Sequence, residues 1–203
     1  MRTAEQIAKA KLGDELALGE LLSSYERYLQ MLAEIQIGRA LQGKVDACDI
    51  VQETFLEAHR AIRKFEGVEI HQFVAWLKAI LSTRLANTMR HYLGTQSRDI
   101  RIEERIQFQV DQSSLSLGGM LVDPKSSPSE HVVGLEQSKL VAEAVSRLPA
   151  DYRQTIILRH LDGLTFPEIA RAMQKSIDSV EKLWLRAMTQ LKREFAESSS
   201  DET

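Results

Sequence analysis

Apolar residues recur at spacings of three and four along most of the chain, and no stretch alternates with the period of a strand. That one pattern confines the fold to packed helices. The segment ELALGELLSSYERYLQMLAEIQI puts Leu18, Leu21, Leu22, Tyr25, Tyr28, Leu29 and Leu32 on one stripe, which predicts an amphipathic helix. DACDIVQETFLEAHRAIRKF repeats the spacing with Ile50, Val51, Phe55 (and Thr54), Ala58, Ile62 and Phe65. FEGVEIHQ interrupts it around Gly67, and FVAWLKAILSTRLANTMRHYL resumes it through Phe73, Trp76, Leu77, Ile80, Leu81, Leu85 and Met89. The expected fold class is all-α.

The composition shifts after Leu93. GTQSRDIRIEERIQFQVDQSSLSLGGMLVDPKSSPSEH gathers Gly, Ser, Pro and Gln, with SSLSLGG and DPKSSPS as the clearest breakers. Residues 113–129 therefore read as a flexible linker, with IRIEERIQFQV continuing a helix or packing weakly ahead of it. A second helical block covers 130–196, and 197–203 reads as a disordered polar tail. Two small helical domains, 1–112 and 130–196, joined by that linker, are the economical arrangement for 203 residues.

Several classes of function are disfavoured at once. An apolar fraction of 43% with 27% charged residues is that of a soluble globular protein. No apolar run approaches the roughly 20 residues that cross a bilayer, and MRTAEQIAKAKLGDE has no apolar signal-peptide core. The expected location is cytoplasmic, away from the membrane. Cys48 stands alone, which excludes an internal disulfide framework and a multi-cysteine zinc site. His59, His71, His91, His131 and His160 lack ligand spacing, and no phosphate loop, nucleophile elbow or HExxH pair is present. No catalytic residue, metal or cofactor is expected. The net charge of −3 argues against an indiscriminate coat for nucleic acid. Arg84, Arg90, Arg98 and Arg101 against Asp99 nevertheless make a local basic patch, and such patches bind phosphates whatever the total charge.

The stretch DGLTFPEIARAMQKSIDSVEKLW, 162–184, has the grammar of two helices joined by a turn. Thr165 and Glu168 form a capping box, and Pro167 in the first turn costs little because its N–H would be an orphan anyway. Ile169, Ala170 and Met173 give the first helix a buried face. QKS turns the chain, Ser176 is a natural N-cap, and Val180, Leu183 or Trp184, Ala187 and Leu191 line the inner side of the second helix. Ser179, Lys182 and Arg186 fall on its outer side, where a recognition helix meets bases and phosphates. An αα-hairpin without nucleic acid fits the same spacing, and Asp178 and Glu181 favour it.

The surrounding residues add context. LPADYRQTIILRHLDGLTFPEIARAM resembles region 4 of bacterial RNA polymerase sigma factors, and DACDIVQETFLEAHRAIRKFEG followed by FVAWLKAILSTRLANTMRHY resembles region 2. With both in order over roughly 13–93 and 136–195, the chain resembles a small sigma factor of the extracytoplasmic-function (ECF) type. The resemblance implies a transcription initiation factor that binds core RNA polymerase, at the β′ clamp helices and the β flap, and directs it to promoter DNA. Asp49, Gln52, Glu53 and Phe55 match the run that docks on the clamp helices; the first three put acceptors on adjacent turns for a partner's arginines. A solvated helix face is the plainer alternative.

FEGVEIHQF matches the loop that holds a base flipped from the non-template strand at the minus-ten element. Phe65, Phe73 and Trp76 could supply stacking, although Trp76 fits equally well in the core. Lys78, Arg84, Asn87, Arg90 and His91 follow, a mixture suited to phosphates and exposed bases. Thr83 stands where many relatives carry asparagine, with Asn87 one turn later, a departure that bears on base preference. In region 4, SIDSVEKLW replaces a pattern closer to S.GTVKSRL, so Glu181 stands for a usual base and Leu183 for another, and Lys182 and Arg186 remain the principal cations. Together with Ser176 and Ser179, Glu181, Lys182 and Arg186 form the expected minus-thirty-five set; a glutamate can accept from a cytosine amino group. With few cations the salt dependence should be shallow, as suits a factor that binds DNA only within the polymerase holoenzyme. The linker would thread the polymerase near its active site or act as a passive tether. No sensor is visible, which leaves regulation to an anti-sigma protein, a kinase or transcriptional control. A stand-alone helix-turn-helix regulator does not account for DIVQETF, and a helical protein adaptor does not account for the arginines from Arg84 to Arg101.

Overall fold

The computed structural model describes residues 2–41, 43–93, 100–120 and 131–200, and among them every regular element is helical. Its contacts divide the chain into two compact units, Met1–Gln112 and Ser113–Thr203.

The first unit is built on the long helix α2 (Glu15–Leu41), against which α1 (Arg2–Lys11), α3 (Ala47–Ala61) and α4 (Ile70–Leu93) pack. All seven residues of the α2 stripe are buried, with Tyr28, Leu29 and Leu32 fully so. They meet Ile50, Val51 and Ala58 of α3 and Phe73, Leu77, Leu81 and Leu85 of α4 in a core that excludes water. Each large side chain so buried contributes roughly 1.5–3 kcal/mol, which is what fixes helices whose own propensity is modest. The boundaries are set by short-range chemistry. Asp14 Oδ1 accepts from the Ala17 N–H at 3.0 Å ahead of α2, and Asp46 Oδ1 from the Cys48 N–H at 2.8 Å ahead of α3. A 3₁₀ turn, Ile62–Lys64, ends the α3 arm before the FEGVE loop.

The next helix, α5 (Ile100–Gly119), differs from expectation. Residues 113–119, read from sequence as the start of the linker, continue it as helix. Ile106 and Val110 of the first unit are fully buried at the helical interval i, i+4, and in the second unit Leu117 is fully buried and Ser113 and Ser114 are buried too. The rest of the expected linker, 121–129, lies outside the described residues.

The second unit contains α6 (His131–Arg147), α7 (Ala150–Ile156) with a π-helical turn at Ile157–Leu161, α8 (Phe166–Met173) and α9 (Ile177–Ser200). Helices α6, α7 and α8 all pack against α9. Leu158, Ile169, Ala170 and Val180 form a buried cluster that joins the π turn, α8 and α9. The expected tail needs correction in its first half: backbone of 197–200 continues α9, and 201–203 lie outside the described residues.

Candidate protein and nucleic-acid interfaces

On α3 the buried positions Ile50, Val51, Thr54 and Ala58 define the inner face. Asp49, Gln52 and Glu53 are exposed on the opposite side, and among the described residues neither carboxylate has a cationic partner. Phe55 is half-buried, and Thr54 fills the fully buried position instead, its hydroxyl returned to the Ile50 carbonyl at 2.8 Å. The apolar residue of this face is Leu56, 59% exposed and one heptad after Asp49. Sequence reasoning missed it because a leucine inside an amphipathic helix reads as core; the i, i+3, i+4, i+7 run of Asp49, Gln52, Glu53 and Leu56 was the available signal. Asp49 and Glu53 also line an open cleft with Asn87, His91 and Tyr92 of α4. The expected polymerase-docking acids and part of the expected minus-ten set therefore share one cleft.

The remaining minus-ten candidates lie along α4 and beneath the loop that precedes it. Phe65 is buried, its ring 4.9 Å from Trp76 and 5.9 Å from Phe73. Phe65 is thus packed under the loop and is not open to stack a base, while Trp76 is half-buried. Asn87 and His91 are exposed. The cations carry acidic partners: Lys78 pairs with Asp111 of α5, Arg84 with Glu57 of α3 at 3.2 Å, and Arg90 with Glu103 of α5 at 3.4 Å. Thr83 donates to the same Glu103 at 2.6 Å. The basic patch is therefore less free than its sequence suggests. Arg98 and Asp99 lie outside the described residues, and Arg84 and Arg90 are internally compensated. The Nε donors of Arg84 and Arg90 are buried and have no acceptor among the described residues.

In the second unit the turn between α8 and α9 follows the sequence closely. Glu168 Oε2 accepts from the Thr165 N–H at 2.8 Å and its hydroxyl at 2.6 Å, completing the capping box. The hydroxyl bond, then the backbone bond, hold the Glu168 carboxyl below its ordinary pKa. Gln174 adopts a left-handed conformation (φ 53°), and the Lys175 N–H reaches back to the Ala170 carbonyl at 3.0 Å, closing α8. Ser176 Oγ then accepts from the Ser179 N–H at 3.2 Å and caps α9. Ser176, Ser179, Glu181, Lys182 and Arg186 are all exposed, whereas Val180, Ala187 and Leu191 are fully buried. Lys182 is paired with Asp178 at 2.7 Å, leaving Arg186 as the cation of the five without an acidic partner among the described residues.

Trp184, half-buried, is tied down from behind. Its Nε1–H donates to His160 Nε2 at 3.1 Å, and Phe166 meets it edge-on at 5.7 Å. Only an unprotonated Nε2 can accept that bond. Burial, with the Arg159 charge as the lesser cause, pushes the His160 pKa down. Unfolded chain then binds the proton first, so stability is full above about pH 6.5 and declines as the pH falls from there toward the lowered folded value. Urea unfolding followed by Trp emission should show this decline between pH 7.5 and 5.5, and His160→Gln should flatten it.

Two family models match the chain in order: Sigma-70 region 2 over residues 24–98 and Sigma-70, region 4 over residues 138–191, together well over half of its length. Among curated proteins it is 29% identical over 181 residues to the ECF RNA polymerase sigma-E factor of Haemophilus influenzae, covering 89% of this chain and 88% of that protein. It is likewise 29% identical to the ECF RNA polymerase sigma-E factor of Escherichia coli K12, over 89% and 87% of the two chains. Two similar solved structures are the RsbN-BldN complex (22% identity, 92% and 97% coverage, TM-score 0.32) and CnrH in complex with the cytosolic domain of CnrY (20%, 95% and 96%, TM-score 0.35). Superpositions that loose add nothing to the sequence matches. With region 2 and region 4 both matched in order, and ECF relatives aligned along nearly the full length, the chain belongs to the sigma-70 family as a member of its ECF type.

Proposed function

We propose that Asp49, Gln52, Glu53 and Leu56 dock on the clamp helices of the polymerase β′ subunit, and that region 4 meets the β flap. In this reading α4 and the 65–69 loop take the minus-ten strand, and the exposed start of α9 enters the major groove at the minus-thirty-five element. The chain acts as a sigma factor in transcription initiation, binding core RNA polymerase and promoter DNA. It would work in the compartment that holds the polymerase, the cytoplasm, and an anti-sigma protein covering either exposed face would switch it off. The observation that carries the DNA assignment is α9: five polar residues exposed over its first turns, with the opposite side fully buried. That is the geometry of a helix held by its back and offered by its front.

The ion pairs of α4 refine the expectation. A strand that reaches Lys78 and Arg90 must exchange phosphates for the Asp111 and Glu103 carboxylates. Intrinsic DNA affinity should then be low, with polymerase supplying much of the grip. A gel shift on promoter duplex tests this: no band with the protein alone, and a band with core polymerase that weakens about 5- to 30-fold in Arg186→Ala. Tight binding of a palindrome by the free protein as a dimer would instead make it a stand-alone regulator.

A further inference from the structure

The FEGVE loop is held by more than its own sequence. Lys11, at the end of α1, donates from Nζ to the Gly67 carbonyl at 3.2 Å and lies 5.8 Å above the Phe65 ring. On the other side, Gln72 Oε1 accepts from the Val68 N–H at 2.9 Å and the Glu69 N–H at 3.1 Å. Gly67 itself lies on the Phe65 ring: a Cβ there would stand 2.9 Å from Phe65 Cε2 and 3.0 Å from Gln72 Cβ, so no side chain fits. Phe65 is fixed in turn by Trp76 and Phe73. The loop backbone is therefore pinned on its carbonyl, on two of its N–H groups and from beneath, while the Val68 side chain stays 61% exposed. One of these pins comes from α1, which lies before residue 24, where the region 2 match begins.

We propose that Lys11 is a positioning residue for strand opening: α1 holds the 65–69 loop in the shape that receives the minus-ten strand, without itself touching DNA. The inference rests on the assignment of that loop to the minus-ten element. Physically, a charged donor on a backbone carbonyl fixes the loop before DNA arrives, so less ordering remains to be done when the strand binds. Losing it should slow opening without changing how polymerase or duplex is gripped.

The test uses reconstituted holoenzyme with wild type, Lys11→Met, Lys11→Arg and Gly67→Ala, on a promoter carrying 2-aminopurine in the minus-ten non-template strand. Lys11→Met is expected to slow the fluorescence rise of strand opening by about five- to tenfold, somewhat less than the full contribution of one charged hydrogen bond because the Lys11–Gly67 bond is only partly buried. Core affinity should stay within about twofold, since Lys11 is not one of the docking residues in this reading, and Lys11→Arg should recover most of the rate. The salt dependence of promoter binding should be unchanged, whereas a direct phosphate contact would lower its slope by nearly one. Gly67→Ala pushes into Phe65 directly and tests the loop assignment by itself. If Gly67→Ala slows opening and Lys11→Met does not, the role of Lys11 is wrong while the loop assignment stands. If neither does, with both variants folded by circular dichroism, the loop assignment itself fails. A shallower salt slope in Lys11→Met would make Lys11 a DNA contact and overturn the positioning role.

Discussion

Alanine at Asp49, Gln52 and Glu53 together is expected to lower core-polymerase affinity by about 100-fold or more and to abolish promoter-directed transcription, with the protein still folded. The magnitude follows from chemistry. Hydrogen bonds to charged groups contribute roughly 1.5–3 kcal/mol each, and every 1.4 kcal/mol is a factor of ten in affinity, so even two of the three contacts suffice. Folding should survive because the three side chains are exposed and neither carboxylate is paired among the described residues; substitutions at such positions stay within about 0.5 kcal/mol. Leu56→Ala should add to the loss, since an apolar side chain 59% exposed on an acidic face is poised to be buried by a partner. An anisotropy titration of labelled protein with core polymerase measures the effect, alongside a thermal melt. Unchanged affinity in the triple variant would show that docking uses another surface.

Phe73→Ala should have the largest effect on stability. Phe73 is fully buried and central to the ring cluster, 5.9 Å from Phe65 and 5.7 Å from Trp76. Removing a buried phenylalanine costs about 3–5 kcal/mol, the lost transfer energy plus the cavity left behind. That is a large part of the 5–15 kcal/mol by which a typical domain is stable. The loss would also loosen Phe65 and, through it, the seat of Gly67. Urea denaturation should show a midpoint lowered accordingly, and Phe73→Leu should recover part of it because less volume is lost. A shift below about 1 kcal/mol would mean that the ring cluster is not the keystone of the region 2 core.

The elements legible in the sequence are those specified by near neighbours. The α2 stripe, the capping box at Thr165 and Glu168, and the Ser176 cap all act within one or two turns, and each is found where the spacing puts it. The same locality explains the alternation of exposed and buried residues in α9. What escaped is long-range. Lys78 meets Asp111 and Arg84 meets Glu57 across 33 and 27 residues, and Lys11 meets Gly67 across 56. No periodicity encodes those pairings, so cations that look free in the sequence are compensated in the fold. The start of the expected linker misled for a different reason. Serine and glycine there suggest a break, but Leu117 is fully buried and two buried serines let neighbouring chain approach, Ser114 accepting from the Ser138 hydroxyl at 3.0 Å. Here small residues mark close packing and not a loop.

Promoter-directed initiation is tested by run-off transcription with purified core polymerase from the source organism, with and without this protein, on its own upstream regions. New transcripts with defined starts are expected only with the protein, and they should vanish in the Asp49/Gln52/Glu53→Ala variant. No new transcripts, together with failure of the protein to co-migrate with core polymerase, would contradict a role in initiation.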